Sequence, residues 1–170
     1  METVVHRQVA DAQPILLKLL RVGFGAGGMT SLALGIWMLI DPAGWRAVFP
    51  GAIEDFGAFN PHFIRDLGGW YAAGGLLLLL AFTNPARLGG IALLVTLVGY
   101  GTHAAVHIGD IVSGTVPASH WIIDLPTVFL PVMLVVLLLW IWWSMQATRI
   151  GPLEETQVIE EEWDPEVAVR

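Results

Sequence analysis

The chain has 170 residues, of which 55% are hydrophobic and only 14% are charged, and its formal net charge is −7. This composition, with a mean hydropathy of +0.68, excludes an ordinary soluble globule, and the acidic charge argues against a nucleic-acid partner. The absence of cysteine excludes disulfides, thiolate metal ligation, iron–sulfur clusters and cysteine nucleophiles.

The apolar residues fall in four long blocks, each close to the roughly 20 residues that a helix needs to cross a bilayer. We therefore predict an all-α fold, an integral membrane four-helix bundle. Its parts are a polar N-terminal segment at about 1–18, a transmembrane domain at about 19–143 and an acidic tail at about 144–170. The predicted spans cover about 22–40, 63–82, 88–108 and 121–143.

Prolines mark breaks along these predicted spans. The first span is expected to end at Asp41-Pro42, because the residue before a proline is biased away from helical geometry. Pro126 and Pro131 fall inside the fourth span, where they predict a kink.

Small residues recur at four-residue spacing in the first two spans, as in Gly23 to Gly27 and Gly68 to Ala72. In a bilayer such spacing lets helix backbones approach closely. It predicts tight helix contact, either within one chain or between chains.

Basic residues predict the orientation of the spans. Six of the eight fall on one side of the predicted membrane: Arg7, Lys18, Arg21, Arg87, Arg149 and Arg170. Only Arg46 and Arg65 fall on the other side, so the positive-inside rule places both termini in the cytoplasm. Tryptophans near the span ends are expected to anchor at the two interfaces: Trp37, Trp45, Trp121, Trp140, Trp142 and Trp143.

The third span carries a row of polar residues, Thr96, Tyr100, His103, His107 and Asp110. Their spacings of 4, 3, 4 and 3 residues place them on one helix face. Ionisable groups inside a membrane are costly, and they mark functional sites.

Other polar residues at the outer ends of the spans are expected to meet this row in one outward-facing pocket. The pocket candidates are Arg65, Asp66, Tyr100, His103, His107, Asp110 and Asp124. A structural interpretation stands beside the functional one. In it the same residues form a polar plug, with Arg65 paired to Asp110 or Asp124.

A metal site is one functional interpretation of this pocket. His103 and His107 have the i, i+4 spacing by which one helix presents two imidazoles to an ion such as Zn²⁺ or Cu²⁺. Further ligands would come from Asp110, Asp66, His62 and His120. The motif H-A-A-V-H lacks the glutamate of H-E-x-x-H, so metalloprotease activity is not expected.

Three further interpretations stay open. Haem would need His103 or His107 opposed by His62 or His120 on a facing helix. A quinone-like or lipid ligand would bind Arg65, Tyr100 and His103 among aromatic side chains. The row of histidines and Asp110 would also suit a proton relay.

The segment Asn60–Gly68 at the start of the second span reads N-P-H-F-I-R-D-L-G, and His103-x3-His107-x2-Asp110 follows late in the third. In these elements, over about residues 20–143, the chain resembles small four-helix bacterial membrane proteins related to the DoxX-like superfamily, many of unknown function. DoxX-type proteins are associated with quinone-linked sulfur oxidation and membrane redox partners. The resemblance implies a redox or ligand pocket at Arg65, Asp66, His103 and His107. The absence of cysteine excludes a thiol relay in it.

The first functional prediction is a non-enzymatic accessory or ligand-binding subunit in a bacterial cell membrane. It would be a homo-oligomer or part of a larger membrane complex. The second is a membrane redox or metal protein holding a transition metal, haem or quinone. The third is a conductor of protons or small solutes.

Overall fold

In the computed structural model, the described residues are 2–49 and 53–149, with side chains described over 13–49 and 53–147. All regular elements in these ranges are helical, in agreement with the predicted all-α class. Six α-helices follow one another within these two ranges: α1 Glu2–Ile40, α2 Pro42–Val48, α3 Pro61–Thr83, α4 Pro85–Ser113, α5 His120–Ile123 and α6 Leu130–Arg149. A 3₁₀ turn at Ile53–Phe56 and a π-helical turn at Leu125–Phe129 complete the described elements.

In the part of the chain that the structure describes, four stretches are long and apolar enough to cross a membrane: Gln13–Ile40, Pro61–Thr83, Pro85–Ser113 and Leu125–Ala147. The helices extend beyond the predicted spans at several ends. The predicted N-terminal segment 1–18 lies within α1 from Glu2 onward, and α6 runs past residue 143 into the predicted tail. The reason is that a helix need not end where its apolar stretch ends. The rest of the acidic tail, from residue 150, lies outside the described residues.

Helices α1 and α3 form the most extensively packed pair. A Cβ added to Gly75 would lie 2.5 Å from the backbone nitrogen of Leu32 and 2.8 Å from the carbonyl oxygen of Gly28. One added to Gly68 would lie 2.9 Å from the carbonyl oxygen of Gly35. The small residues therefore form a contact within one chain, where the backbones touch without side chains between them.

Helices α4 and α6 form a second pair. The ring of Trp142 lies against Gly89 and Gly90, and its indole Nε1 donates to the carbonyl oxygen of Pro85 at 3.0 Å. Trp142, which was predicted to anchor at an interface, packs between the two helices, where the two glycines leave room for its ring. Trp45, 8% exposed, is likewise an internal residue.

The predicted kink in the fourth span takes the form of the π-helical turn Leu125–Phe129. Pro126 lies in its first positions, and the backbone N–H of Leu130 donates to the carbonyl of Leu125, five residues back. Proline lacks the N–H that the regular helical ladder needs, so the wider turn lets the chain continue.

We call the end of the bundle that carries residues 41–49, 53–60 and 114–124 the distal end. Here α1 ends at Ile40, as predicted, and Asp41 caps α2 by accepting from the backbone N–H of Gly44 at 2.9 Å. At the same end, Gly114 closes α4 with a positive φ of 76°, a conformation that suits glycine. These short, capped connections bring the 3₁₀ turn and α5 close to the last turns of α4.

Candidate functional site

The centre of the candidate site is the carboxylate of Asp124, whose side chain is 1% exposed. Its Oδ2 lies 2.8 Å from Nδ1 of His107 on α4. Its Oδ1 lies 3.1 Å from Nδ1 of His120, one helical turn earlier. In each of these contacts the imidazole Nδ1 donates when it carries the proton, and it accepts from the carboxyl group when the proton lies on oxygen.

His120 is fully buried and touches a second carboxylate on its other side. Its Nε2 lies 3.0 Å from Oδ2 of Asp55, on the 3₁₀ turn. Burial alone would lower the pKa of His120, but hydrogen bonds to Asp55 and Asp124 outweigh it, and the pKa lies above its ordinary value. Asp55, His120, Asp124 and His107 thus form a continuous hydrogen-bonded chain, which we call the His–Asp cluster.

Phe56 packs over the His–Asp cluster. Its ring centroid lies 4.6 Å from that of His107 and 5.0 Å from that of His120. Its neighbour Asp55 is 39% exposed at the distal end. The 3₁₀ turn therefore contributes one acid that reaches water and one ring that shields the imidazoles.

His103 connects the His–Asp cluster to the interior of the bundle. Its ring centroid lies 4.5 Å from that of His107, with the planes at 67°. One turn of α4 separates the two residues, as their i, i+4 spacing predicts. His103 also lines a cavity in the bundle, so the cluster and the cavity meet at this residue.

The cavity has a volume of about 410 Å³ and lies among α1, α3, α4 and the start of the fourth span. Most of its wall is apolar, and its polar lining residues are Thr30, Ser31, Tyr71, Thr96, Tyr100, His103 and Thr127. The hydroxyls of Ser31 and Tyr100 are 2.6 Å apart, and the ring of Tyr71 lies 5.8 Å from that of Tyr100.

The cavity opens between α1 and α6. Ala26 and Thr30 of α1 and Leu134 and Leu137 of α6 line the cavity and are also exposed. Contacts between α1 and α6 are far fewer than those within either packed pair. The opening therefore lies on the side of the bundle.

The predicted polar row on α4 is only partly one site. Thr96, Tyr100 and His103 line the cavity, and His107 belongs to the His–Asp cluster, as does the predicted Asp124. Asp110, one turn further, joins neither, and its described bonds are those of its backbone carbonyl at the end of α4.

Arg65 and Asp66 lie apart from this site, exposed at the start of α3. Arg65 Nε donates to the carbonyl of Leu39 at 3.3 Å, and Asp66 faces His62 at 3.4 Å on the surface. The expected pairing of Arg65 with Asp110 or Asp124 is therefore wrong. Arg65 bonds to a backbone carbonyl of α1, and the carboxylate of Asp124 bonds to His107 and His120. The segment Asn60–Gly68 instead caps α3 through Asn60, which accepts from the next two backbone N–H groups after Pro61.

The metal and haem hypotheses find no matching arrangement. Within residues 13–49 and 53–147, no three histidine, aspartate or glutamate side chains are placed to hold a metal ion. The rings of His103 and His107 meet edge to face, and Nδ1 of His107 is used by Asp124. His62 is 86% exposed and pairs with Asp66, and both nitrogens of His120 contact carboxylates.

Sequence reasoning missed the role of Asp55, and it considered His120 only as a candidate ligand of a metal ion or of haem. The i, i+4 spacing of His120 and Asp124 was a usable signal, since that spacing joins residues on one helix face. Asp55 had no such signal, because it reaches the cluster from a separate turn, 65 residues away.

Fold and site together define a helical protein with four candidate membrane spans, an apolar cavity and a buried His–Asp cluster. No family model, curated protein or solved structure matches the chain. The resemblance to the DoxX-like superfamily remains a prediction, based on the segment Asn60–Gly68 and on the histidines and aspartate late in the third span.

Proposed function

We propose that this protein is a multi-pass membrane protein that binds a hydrophobic small molecule inside its bundle, as an accessory or ligand-binding subunit. Large apolar side chains exposed along the four candidate spans support insertion in a bilayer, among them Val22, Trp70, Val98 and Met133. The distribution of basic residues supports cytoplasmic termini, with the distal end on the opposite face of the cell membrane.

The observation that carries the binding proposal is the cavity. Its volume of about 410 Å³ falls within the range of about 300–1,000 Å³ typical of small-molecule sites. Its wall combines a mainly apolar surface with a few polar groups, which is the usual composition of such sites.

The arrangement of the wall indicates the class of ligand. Tyr71 and Tyr100 offer aromatic faces, while Tyr100 and His103 offer groups that hydrogen-bond. Leu134, Leu137 and Leu138 line the cavity beside its opening. These features suit an amphipathic molecule with a ring-bearing polar head and an alkyl tail, such as a quinone or phenol with a hydrocarbon chain.

Thermal unfolding of the detergent-purified protein tests this proposal, with decyl-benzoquinone as the probe and decylbenzene as its apolar analogue. A ligand that binds only the folded state stabilises it by RT ln(1 + L/Kd), where L is the free ligand concentration. This is about 2.7 kcal/mol when L is 100 times Kd, and this stabilisation raises Tm. We expect such a rise with decyl-benzoquinone and a smaller one with decylbenzene, which lacks the ring oxygens.

A pair of tryptophan variants on α1 separates cavity binding from effects on the detergent. Leu34 lines the cavity, so Leu34→Trp fills it. Ile36→Trp adds the same ring at a residue that is 44% exposed and does not line the cavity. We expect Leu34→Trp to abolish the rise in Tm with decyl-benzoquinone and Ile36→Trp to keep it. An equal response in both variants, or no response of the wild type, would contradict the proposal.

A further inference from the structure

We propose that the His–Asp cluster and His103 form a proton path between water at the distal end and the cavity. A bound hydrophobic weak acid, such as an alkylated phenol, would exchange its hydroxyl proton through this path. The inference rests on the proposed function, because it requires a ligand in the cavity.

The path is continuous in space over its first three steps. The distances are 3.0 Å from Asp55 Oδ2 to His120 Nε2, 3.1 Å from His120 Nδ1 to Asp124 Oδ1, and 2.8 Å from Asp124 Oδ2 to His107 Nδ1. All three are hydrogen-bond distances. The last step joins the rings of His107 and His103, whose centroids are 4.5 Å apart.

Exposure changes along the path in the order that a proton path requires. The Asp55 side chain is 39% exposed, those of His120 and Asp124 are 0% and 1% exposed, and that of His107 is 12% exposed. His103 then lines the cavity, roughly 15 Å along α4 from the helix end at Ser113. The path thus begins at the surface, crosses a region shielded by Phe56 and ends at the ligand.

His120 contacts its two neighbours through different atoms, with Nε2 toward Asp55 and Nδ1 toward Asp124. Oδ1 of Asp124 lies 3.1 Å from Nδ1 of His120, and its Oδ2 lies 2.8 Å from Nδ1 of His107 and 3.2 Å from Nδ1 of His120. An imidazole can accept a proton on one nitrogen while it releases another from the second. A histidine that served only to pair with one buried carboxylate would not need a second carboxylate at its other nitrogen.

The proton balance of one transfer is simple. Asp55 takes a proton from water and passes it to Nε2 of His120, whose Nδ1 releases its own proton to Asp124. Asp124, which enters the transfer with its own proton on Oδ2, accepts this proton on Oδ1 and releases the Oδ2 proton to Nδ1 of His107. His107, which enters with its proton on Nε2, releases that proton to His103, and His103 protonates the phenolate oxygen of the ligand. Every side chain gains one proton and loses one, so one proton moves from water to the ligand, and the reverse sequence removes it.

The ionisable groups that act on this path come from three elements. Asp55 belongs to the 3₁₀ turn, His103 and His107 to α4, and His120 and Asp124 to the start of the fourth span. The two carboxylates on either side of His120 favour its protonated form, which keeps a mobile proton in the buried part of the path.

The test uses the full chain in lipid nanodiscs, with a decyl-substituted nitrophenol whose absorbance reports its ionisation. The signal of cavity-bound probe is the difference between wild-type and Leu34→Trp discs. After a rapid pH jump, we expect Asp55→Asn and Asp124→Asn to slow ionisation of the bound probe by about 100-fold, the scale of positioned acid–base groups. Equilibrium binding should stay within about twofold of wild type.

Asp110→Asn is the matched control on α4, since Asp110 lies outside the path, and its rate should equal that of wild type. Asp55→Asn changes a partly exposed residue, so it keeps the test valid if Asp124→Asn does not fold. Saturable binding with unchanged rates in Asp55→Asn would overturn the path alone. An equal slowing in Asp110→Asn would overturn it as well. Absence of saturable binding to the wild type would overturn both the path and the proposed function.

Discussion

Among the residues whose side chains are described, Asp124 is unusual because it is an aspartate buried almost completely inside the protein. Its carboxylate is 1% exposed and is balanced by His107 and His120 instead of by water. A buried charge is tolerated only when partners replace its hydration, and removing one side of such a set leaves the other side buried without compensation. The distal end of the bundle should therefore depend strongly on this one side chain.

We expect Asp124→Ala to lower the free energy of unfolding by about 3 kcal/mol, because it leaves two buried or partly buried imidazoles without their acceptor. Unfolding in mixed detergent micelles, followed by tryptophan fluorescence, measures the change. Asp110→Ala is the control, and it should shift stability by no more than about 0.5 kcal/mol. Equal losses in the two variants would contradict a special role for Asp124.

The raised pKa of His120 predicts how stability depends on pH. A group whose folded pKa exceeds its unfolded value stabilises the fold fully below the unfolded value, here the ordinary 6.5, and loses this contribution as pH rises through the folded pKa. We expect the unfolding free energy of the wild type to fall as pH rises above 6.5.

His120→Gln should flatten this decline, because glutamine does not titrate. His62→Gln is the control, since His62 forms an exposed i, i+4 pair with Asp66 and should leave the slope unchanged. Unfolding titrations at several pH values give both slopes. A slope in His120→Gln equal to that of the wild type would show that His120 does not cause it.

Residue-level predictions succeeded where the information was local. The helical spacing of Tyr100, His103 and His107 placed them correctly on an inward face, because periodicity determines which side of a helix a residue occupies. It could not reveal Asp55, since contact between a turn and a helix start depends on how the chain folds back. Arg65 was misplaced for the same reason, as its partner is a carbonyl of α1.

Among the helices, α1 and α3 rely on the absence of side chains where they cross. A Cβ at Gly75 would lie 2.5 Å from the Leu32 nitrogen, whereas a Cβ at Gly74 would meet nothing within 4 Å. Two adjacent glycines on one helix thus have opposite surroundings. The four-residue spacing of Gly68 and Ala72 on the same helix predicted a close contact, but it did not say which helix is the partner.

We expect Gly75→Ala to destabilise the protein by about 2 kcal/mol, because the helices must move apart to admit the methyl group. Gly74→Ala should be neutral or stabilising by up to about 1 kcal/mol, since alanine is the better helix former. Mixed-micelle unfolding of both variants measures the contrast. Destabilisation by both, to a similar extent, would argue against the close contact.

On the scale of the whole molecule, the sequence indicated the four apolar blocks well, and it placed their helical ends less well. Hydropathy reports where a helix could contact lipid, and it carries no information on whether polar flanks such as residues 2–12 continue the helix. The division into two packed pairs with a cavity between them depends on side-chain shape, as with Trp142 against Gly89.

The proposed orientation has a direct test, because the natural chain has no cysteine that would interfere with labelling. We expect a membrane-impermeant maleimide to label Glu54→Cys, at the distal end, in intact bacterial cells. Thr83→Cys, at the opposite end of α3, should be labelled only after the cells are permeabilised. Labelling of Thr83→Cys alone in intact cells would reverse the orientation.

The sideways opening between α1 and α6 has a consequence for how a guest molecule reaches the protein. Ala26 and Leu137 stand at this gap, on a flank that would be surrounded by acyl chains. Under the proposed function, a ligand dissolved in those chains would enter the cavity without first dissolving in water. Its occupancy would then follow its mole fraction in the lipid, so diluting the sample with lipid should empty the cavity while diluting it with water should not.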